Sequence, residues 1–293
     1  MRRWRAVFRF PFSVFRWVLR CPRLVTENRK RKTENRAFGA LLALPFVLFI
    51  APVMTSDRPI IAAASDLQFA LTEVAERFRE DTGRQVRLNF GSSGNFRRQI
   101  AQGAPFELYL SADEAYVDAL HREGHTENAG VLYAVGRLVV MAPQGDPADL
   151  VDGSLKRLGQ GLNEGRVHRF AIANPDHAPY GVAAREALQS AGLWEAVGPR
   201  LVLGENVSQA ARYALSRETQ GGIVAYSLAL APAVGGRGEF ELIPEDMHEP
   251  LRQRMALVRG AGDTARAFYE YLQQDSARST LADYGFSAPD RQD

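Results

Sequence analysis

Residues 60–94 read IIAAASDLQFALTEVAERFREDTGRQVRLNFGSSG, and this stretch decides the fold. Ile60 to Ala64 is a short unbroken apolar run, as a strand buried on both faces requires. Ser65 then caps a helix whose residues Leu67, Ala70, Leu71, Val74, Ala75 and Phe78 recur at three- and four-residue spacings up to Gly83. Val86 to Phe90 alternates as a second strand, and Gly91-Ser92-Ser93-Gly94 opens another helix through Phe96 and Ile100. Strand, helix, strand in this order predicts βαβ units and a parallel sheet.

The rhythm continues outward from there. Phe106, Leu108 and Leu110 predict a strand, with Ser111 capping the helix that carries Val117 and Leu120. Further strands are expected at Leu138 to Met141, Phe170 to Ala173, Leu201 to Leu203 and Gly222 to Tyr226. Helices are expected through Leu188, through Tyr213 and Leu215, and from Asp263 onward. No repeat of solenoid period appears.

The 293 residues exceed one ordinary domain, so two domains and an N-terminal extension are expected. Charge divides the chain. Residues 1–36 hold twelve of the 36 Lys and Arg residues against Glu27 and Glu34 alone, which leaves 24 basic and 32 acidic residues from Asp57 onward. That acidic balance argues against a nucleic-acid partner. The apolar run Ala37 to Val53, preceded by Arg29, Lys30, Arg31, Lys32 and Arg36, has the layout of a secretory signal, although an uncleaved anchor through residues 37–53 is the alternative. The sole cysteine, Cys21, excludes an internal disulfide.

Four strand-to-helix junctions stand out: Ser65-Asp66, Ser92-Ser93, Pro179-Tyr180-Gly181 and Asn206-Val207-Ser208. A helix start leaves unpaired backbone NH groups at the positive end of its dipole, where anions are stabilised. Taken singly, each junction is an ordinary helix start. In an open α/β sheet, however, such junctions gather at the carboxyl ends of the strands, where ligands bind.

Seven segments, in order, carry a resemblance: Ala62-Ala63-Ala64-Ser65, Phe90-Gly91-Ser92-Ser93-Gly94, Gly103-Ala104-Pro105-Phe106, Leu110-Ser111-Ala112-Asp113, Asn174 to Gly181, Glu205-Asn206-Val207 and Tyr284-Gly285-Phe286. Together they resemble the periplasmic molybdate-binding proteins of ABC importers. The resemblance implies an α/β type II periplasmic-binding-protein fold, with two α/β lobes joined by two crossovers and a ligand cleft between them. On that basis residues 1–56 form the extension, 57–137 with 238–293 lobe one, and 138–237 lobe two. It implies that Ser65 and Ser93 each offer a hydroxyl and an NH to the oxyanion, and that Tyr180 and Val207 offer NH groups. The Tyr180 hydroxyl is then expected to be dispensable. Asp66 is expected to offer its NH while its carboxylate, repelled by the anion, turns outward to the first helical turn. The only metal implied is the atom at the centre of the oxyanion, and no cofactor is implied. The implied partners are molybdate or tungstate and the membrane permease and ATPase subunits of an importer, with the receptor monomeric and periplasmic. One departure is that Gly222-Ile223-Val224 is followed by Ala225 and then Tyr226, where many members place tyrosine directly.

Other readings find less support. A hydrolase would recruit Ser65 or Ser93 with His121, His125, His168, His177 or His248, yet there is no G-x-S-x-G elbow and no spacing that pairs serine with histidine. No catalytic residue is therefore assigned, and His177 is expected to structure its loop. No Cys/His pattern suggests zinc, and no Tyr-Tyr pair suggests ferric ion. A receptor for another small oxyanion, or a membrane-tethered sensor of the same fold, stays as the alternative.

Overall fold

The computed structural model describes residues 58–289. The expected signal or anchor segment, the basic cluster and Cys21 lie outside the described residues. Lobe one begins with β1 (Ile60–Ala64), a 3-10 turn (Ser65–Leu67), α1 (Gln68–Thr82), β2 (Arg87–Gly91), α2 (Ser93–Ala101), β3 (Phe106–Ser111), α3 (Glu114–Arg122) and β4 (Val131–Gly136). Lobe two follows with β5 (Leu138–Pro143), α4 (Lys156–Asn163), β6 (Phe170–Ala173), α5 (Pro179–Ser190), α6 (Trp194–Val197), β7 (Leu201–Gly204), α7 (Val207–Ala214), β8 (Gly221–Ala225), α8 (Tyr226–Leu230), α9 (Pro232–Gly235) and β9 (Gly238–Leu242). The chain then returns to lobe one for β10 (Leu251–Leu257), α10 (Asp263–Tyr271) and α11 (Asp275–Asp283).

Each lobe is built on one five-stranded sheet, in the orders β2-β1-β3-β10-β4 and β7-β6-β8-β5-β9. The two follow one plan. β1 runs parallel to β2 and β3, and β6 parallel to β7 and β8, while β10 and β5 enter antiparallel. Gly136 and Leu138 end and begin strands of different sheets, so the first crossover is the single residue Arg137. This is the type II periplasmic-binding-protein fold.

Helices cover both faces of the first sheet. On one face Phe78 meets Phe268 and Tyr271 edge-on, at ring-centre distances of 5.0 and 5.3 Å. On the other, Phe96 meets Phe106 at 5.3 Å beside Val117 and Leu120. Such edge-to-face pairs add to the burial of large apolar surfaces.

Three expectations change. β9 pairs with β5 along Gly238 to Leu242, so these residues belong to the second sheet and the return to lobe one lies after Leu242 rather than at Gly238. The cap of α3 is Asp113, whose carboxylate accepts from Ala115 NH at 2.9 Å, and not Ser111. Ser65 does not cap its own helix with its side chain. The chain tightens into a 3-10 turn before α1, and Ala64 takes the capping position.

Candidate functional site

The carboxyl ends of the parallel strands bring four helix starts together. The 3-10 turn opens at Ser65 directly after β1, and α2 opens at Ser93 behind the cap Ser92. α5 opens at Pro179, whose missing NH costs nothing there, and α7 opens at Val207 behind Asn206, which accepts from Gln209 NH at 3.0 Å. Ser65, Asp66, Ser93, Tyr180 and Val207 line one cavity between the lobes, with a volume of about 10 Å³. That is below the ~300–1,000 Å³ of pockets that take drug-sized ligands. A wider depression against Val131, Arg254, Arg278 and Phe286 in lobe one shares none of these junctions.

The two hydroxyls have a definite polarity. Ser93 Oγ accepts from Ala112 NH at 3.0 Å, and Ser65 Oγ accepts from Ser208 NH at 3.3 Å. With a backbone donor on each oxygen, each hydroxyl keeps its own proton to donate. Hydroxyl protons and first-turn NH groups make the cavity rich in neutral donors, as an anion requires.

Several hydrogen bonds cross between the lobes around this cavity. Ser208 Oγ donates to Ser65 O at 2.8 Å, Ser227 Oγ donates to Asp66 O at 2.9 Å, and Gly94 NH donates to His177 O at 2.9 Å. Gly94 has to be glycine for this approach, because a Cβ would stand 2.6 Å from the His177 carbonyl oxygen. His177 thus does more than structure its own loop, since it closes against lobe one.

Asp66 departs most from expectation. Its carboxylate does not turn outward; the residue is 1% exposed, and Oδ2 accepts from Gln253 Nε2 at 2.6 Å. Burial pushes its pKa up to about 6, while the Gln253 amide, the Tyr180 hydroxyl and the nearby backbone NH groups of Asp66 and Leu67 act to lower it. Gln253 Nε2 also reaches the Tyr180 hydroxyl at 3.2 Å, and Gln253 Oε1 accepts from the Tyr133 hydroxyl at 2.7 Å. The Tyr180 hydroxyl is therefore tied across the lobes to Gln253 rather than left free.

Ser92, His177 and Ser208 lie in segments that the sequence singles out, whereas Ser227, Tyr133 and Gln253 do not. Gln253 alone leaves a trace, as a polar residue in the buried phase of the alternating strand Leu251, Gln253, Met255. The structure also pairs serine with histidine, which no spacing suggested: Ser92 Oγ lies 2.8 Å from His177 Nδ1, and His177 Nε2 lies 3.6 Å from Glu205. Yet Ser92 Oγ also bonds the His177 carbonyl at 2.9 Å, the serine is buried, and the Glu205 side chain is 71% exposed. The hydroxyl is engaged in holding the lobes together rather than presented to a substrate. Among the described residues no group of His, Cys, Asp and Glu could hold a metal ion, and no helix is long and apolar enough to cross a membrane.

The chain is 35% identical over 247 residues to the molybdate-binding protein ModA of Rhodobacter capsulatus, covering 83% of this chain and 94% of that protein. It is 33% identical over 260 residues to the molybdate-binding protein ModA of Escherichia coli strain K12, covering 88% and 98%. The solved structure of the Azotobacter vinelandii periplasmic molybdate-binding protein superposes with a TM-score of 0.72 at 27% identity, covering 79% of this chain and all of that one. The family description "bacterial extracellular solute-binding protein" matches residues 60–287, from the first strand to the end of the fold. With two lobes closing on a donor-lined cavity and a match that spans both, the chain belongs to the bacterial extracellular solute-binding proteins.

Proposed function

We propose that this chain is an extracytoplasmic receptor that closes on molybdate or tungstate and presents it to the membrane permease and ATPase subunits of an ABC importer. The observation that carries the reading is the cavity itself, where four helix starts and two donor-poised hydroxyls converge without a lysine or arginine in the lining. Ser65, Asp66, Ser93, Tyr180 and Val207 would touch only the oxygens of the anion. Preorganised neutral donors can bind a dianion even though the folded region is acidic, because their field acts at short range while distant charge is screened. The relatives named for molybdate support the choice of ion. The receptor is read as monomeric, periplasmic and without catalytic activity.

Titration of the purified protein with sodium molybdate, tungstate, sulfate and phosphate tests this. Molybdate and tungstate should bind at micromolar Kd or tighter, about −8 kcal/mol or better, with sulfate and phosphate at least tenfold weaker. Equal affinity for sulfate would overturn the choice of ion.

A further inference from the structure

The fold treats the two oxygens of the Asp66 carboxyl differently. Oδ2 accepts from Gln253 Nε2 at 2.6 Å, and the Tyr133 hydroxyl on Gln253 Oε1 holds the amide in that sense. Oδ1 is buried and has no hydrogen-bond partner among the described residues. A carboxylate needs donors on both oxygens, whereas a neutral acid accepts on one and needs an acceptor for the proton on the other. An anion in the cavity that Asp66 lines would supply that acceptor. It would repel the same oxygen if that oxygen were charged and cut off from water.

Resting on the oxyanion reading, the geometry points to Asp66 as a specificity-determining residue that meets the ligand as a neutral acid. Oδ1–H donates to an oxygen of the anion while Oδ2 accepts from Gln253. Capture of a fully deprotonated tetrahedral dianion therefore takes up one proton from solvent onto Oδ1. Partly protonated anions gain less, because the cavity then offers their OH group a donor where it needs an acceptor.

The groups that face this carboxyl are few. Tyr133 from β4 and Tyr180 from α5 are phenols that burial keeps protonated well above their ordinary range. Gln253 from β10 and the NH groups of Asp66 and Leu67 are neutral. His177, in the loop before α5, and Glu205 beside it are the remaining titratable groups at the cleft. Burial already raises the Asp66 pKa to about 6, and a bound dianion raises it further. The neutral form is thus favoured in the complex, so affinity is full below about pH 6 and falls as pH rises through that value, by up to tenfold per pH unit.

The test is calorimetric titration of the full chain with sodium molybdate between pH 5.5 and 8.5, with each pH repeated in buffers of different ionisation enthalpy so that proton uptake is counted. The wild type should take up close to one proton near neutral pH and lose affinity up to tenfold per unit above about pH 6. Asp66→Asn keeps a neutral donor beside an acceptor oxygen, so it should bind molybdate without net proton uptake and with a flat pH profile. His177→Gln should keep the wild-type slope. A wild type that binds without proton uptake overturns the proposal even if Asp66→Asn fails to fold, and so does an unchanged slope in Asp66→Asn. Absence of molybdate binding at every pH would instead overturn the oxyanion reading, and this proposal with it.

Discussion

Replacing Tyr180 by phenylalanine removes one oxygen at the point where the lobes meet, and the structure sets the size of the effect. Gln253 is 0% exposed, and its amide nitrogen divides its two protons between Asp66 Oδ2 at 2.6 Å and the Tyr180 hydroxyl at 3.2 Å. Without the hydroxyl, one amide proton is left buried and unpaired. That costs about 1–3 kcal/mol, or roughly five- to 150-fold in affinity. The penalty falls on the closed form alone, because parting the lobes gives the amide access to water. Molybdate Kd should therefore rise within that range in Tyr180→Phe, while the melting temperature without molybdate stays near that of the wild type. A Kd within twofold of wild type would refute the argument and return Tyr180 to the role of a backbone donor only.

Two further substitutions probe other parts of the site. Val207 is the first residue of α7 and Asn206 before it is extended, at φ −155° and ψ 171°, so Val207→Pro fits the fold yet deletes one NH donor. Molybdate should raise the melting temperature of Val207→Ala much as it does the wild type and that of Val207→Pro far less; equal shifts would remove the α7 junction from the site. Gly94→Ala places a methyl group 2.6 Å from the His177 carbonyl oxygen, so molybdate should bind at least tenfold more weakly, while alanine within α2 leaves the ligand-free melting temperature unchanged or higher. Wild-type affinity in Gly94→Ala would show that the lobes need not approach this closely.

The parallel strands and the helices after them were legible because short apolar runs and three-four spacing are local signals. The strands β4, β9 and β10 were not. β4 and β5 form one apolar stretch interrupted only by Arg137, and β10 alternates arginines with buried residues, so neither announces which sheet it joins. The five candidate ligand residues were reached through the junction pattern and the family resemblance together. The carboxyl of Asp66 was misread because electrostatics argued from one junction places it in water, whereas its partner Gln253 is 187 residues away. Hydrogen bonds between lobes, such as those of Ser208 and Ser227, depend on how two surfaces meet and leave no periodicity in either segment.

The place of β10 also governs the order in which the molecule can form. All five strands of the second sheet lie in one continuous stretch, residues 138–242, so that lobe can complete itself from local chain. The first sheet cannot. β10 sits between β3 and β4, and until residues 251–257 arrive, β4 has no partner in that sheet and β3 presents a bare edge. Closing this gap joins segments about 140 residues apart, a slow step because distant contacts must overcome the entropy of a long loop. Lobe one is therefore the late-folding half, and its unfinished edge is where an interrupted chain is most exposed to wrong strand pairing.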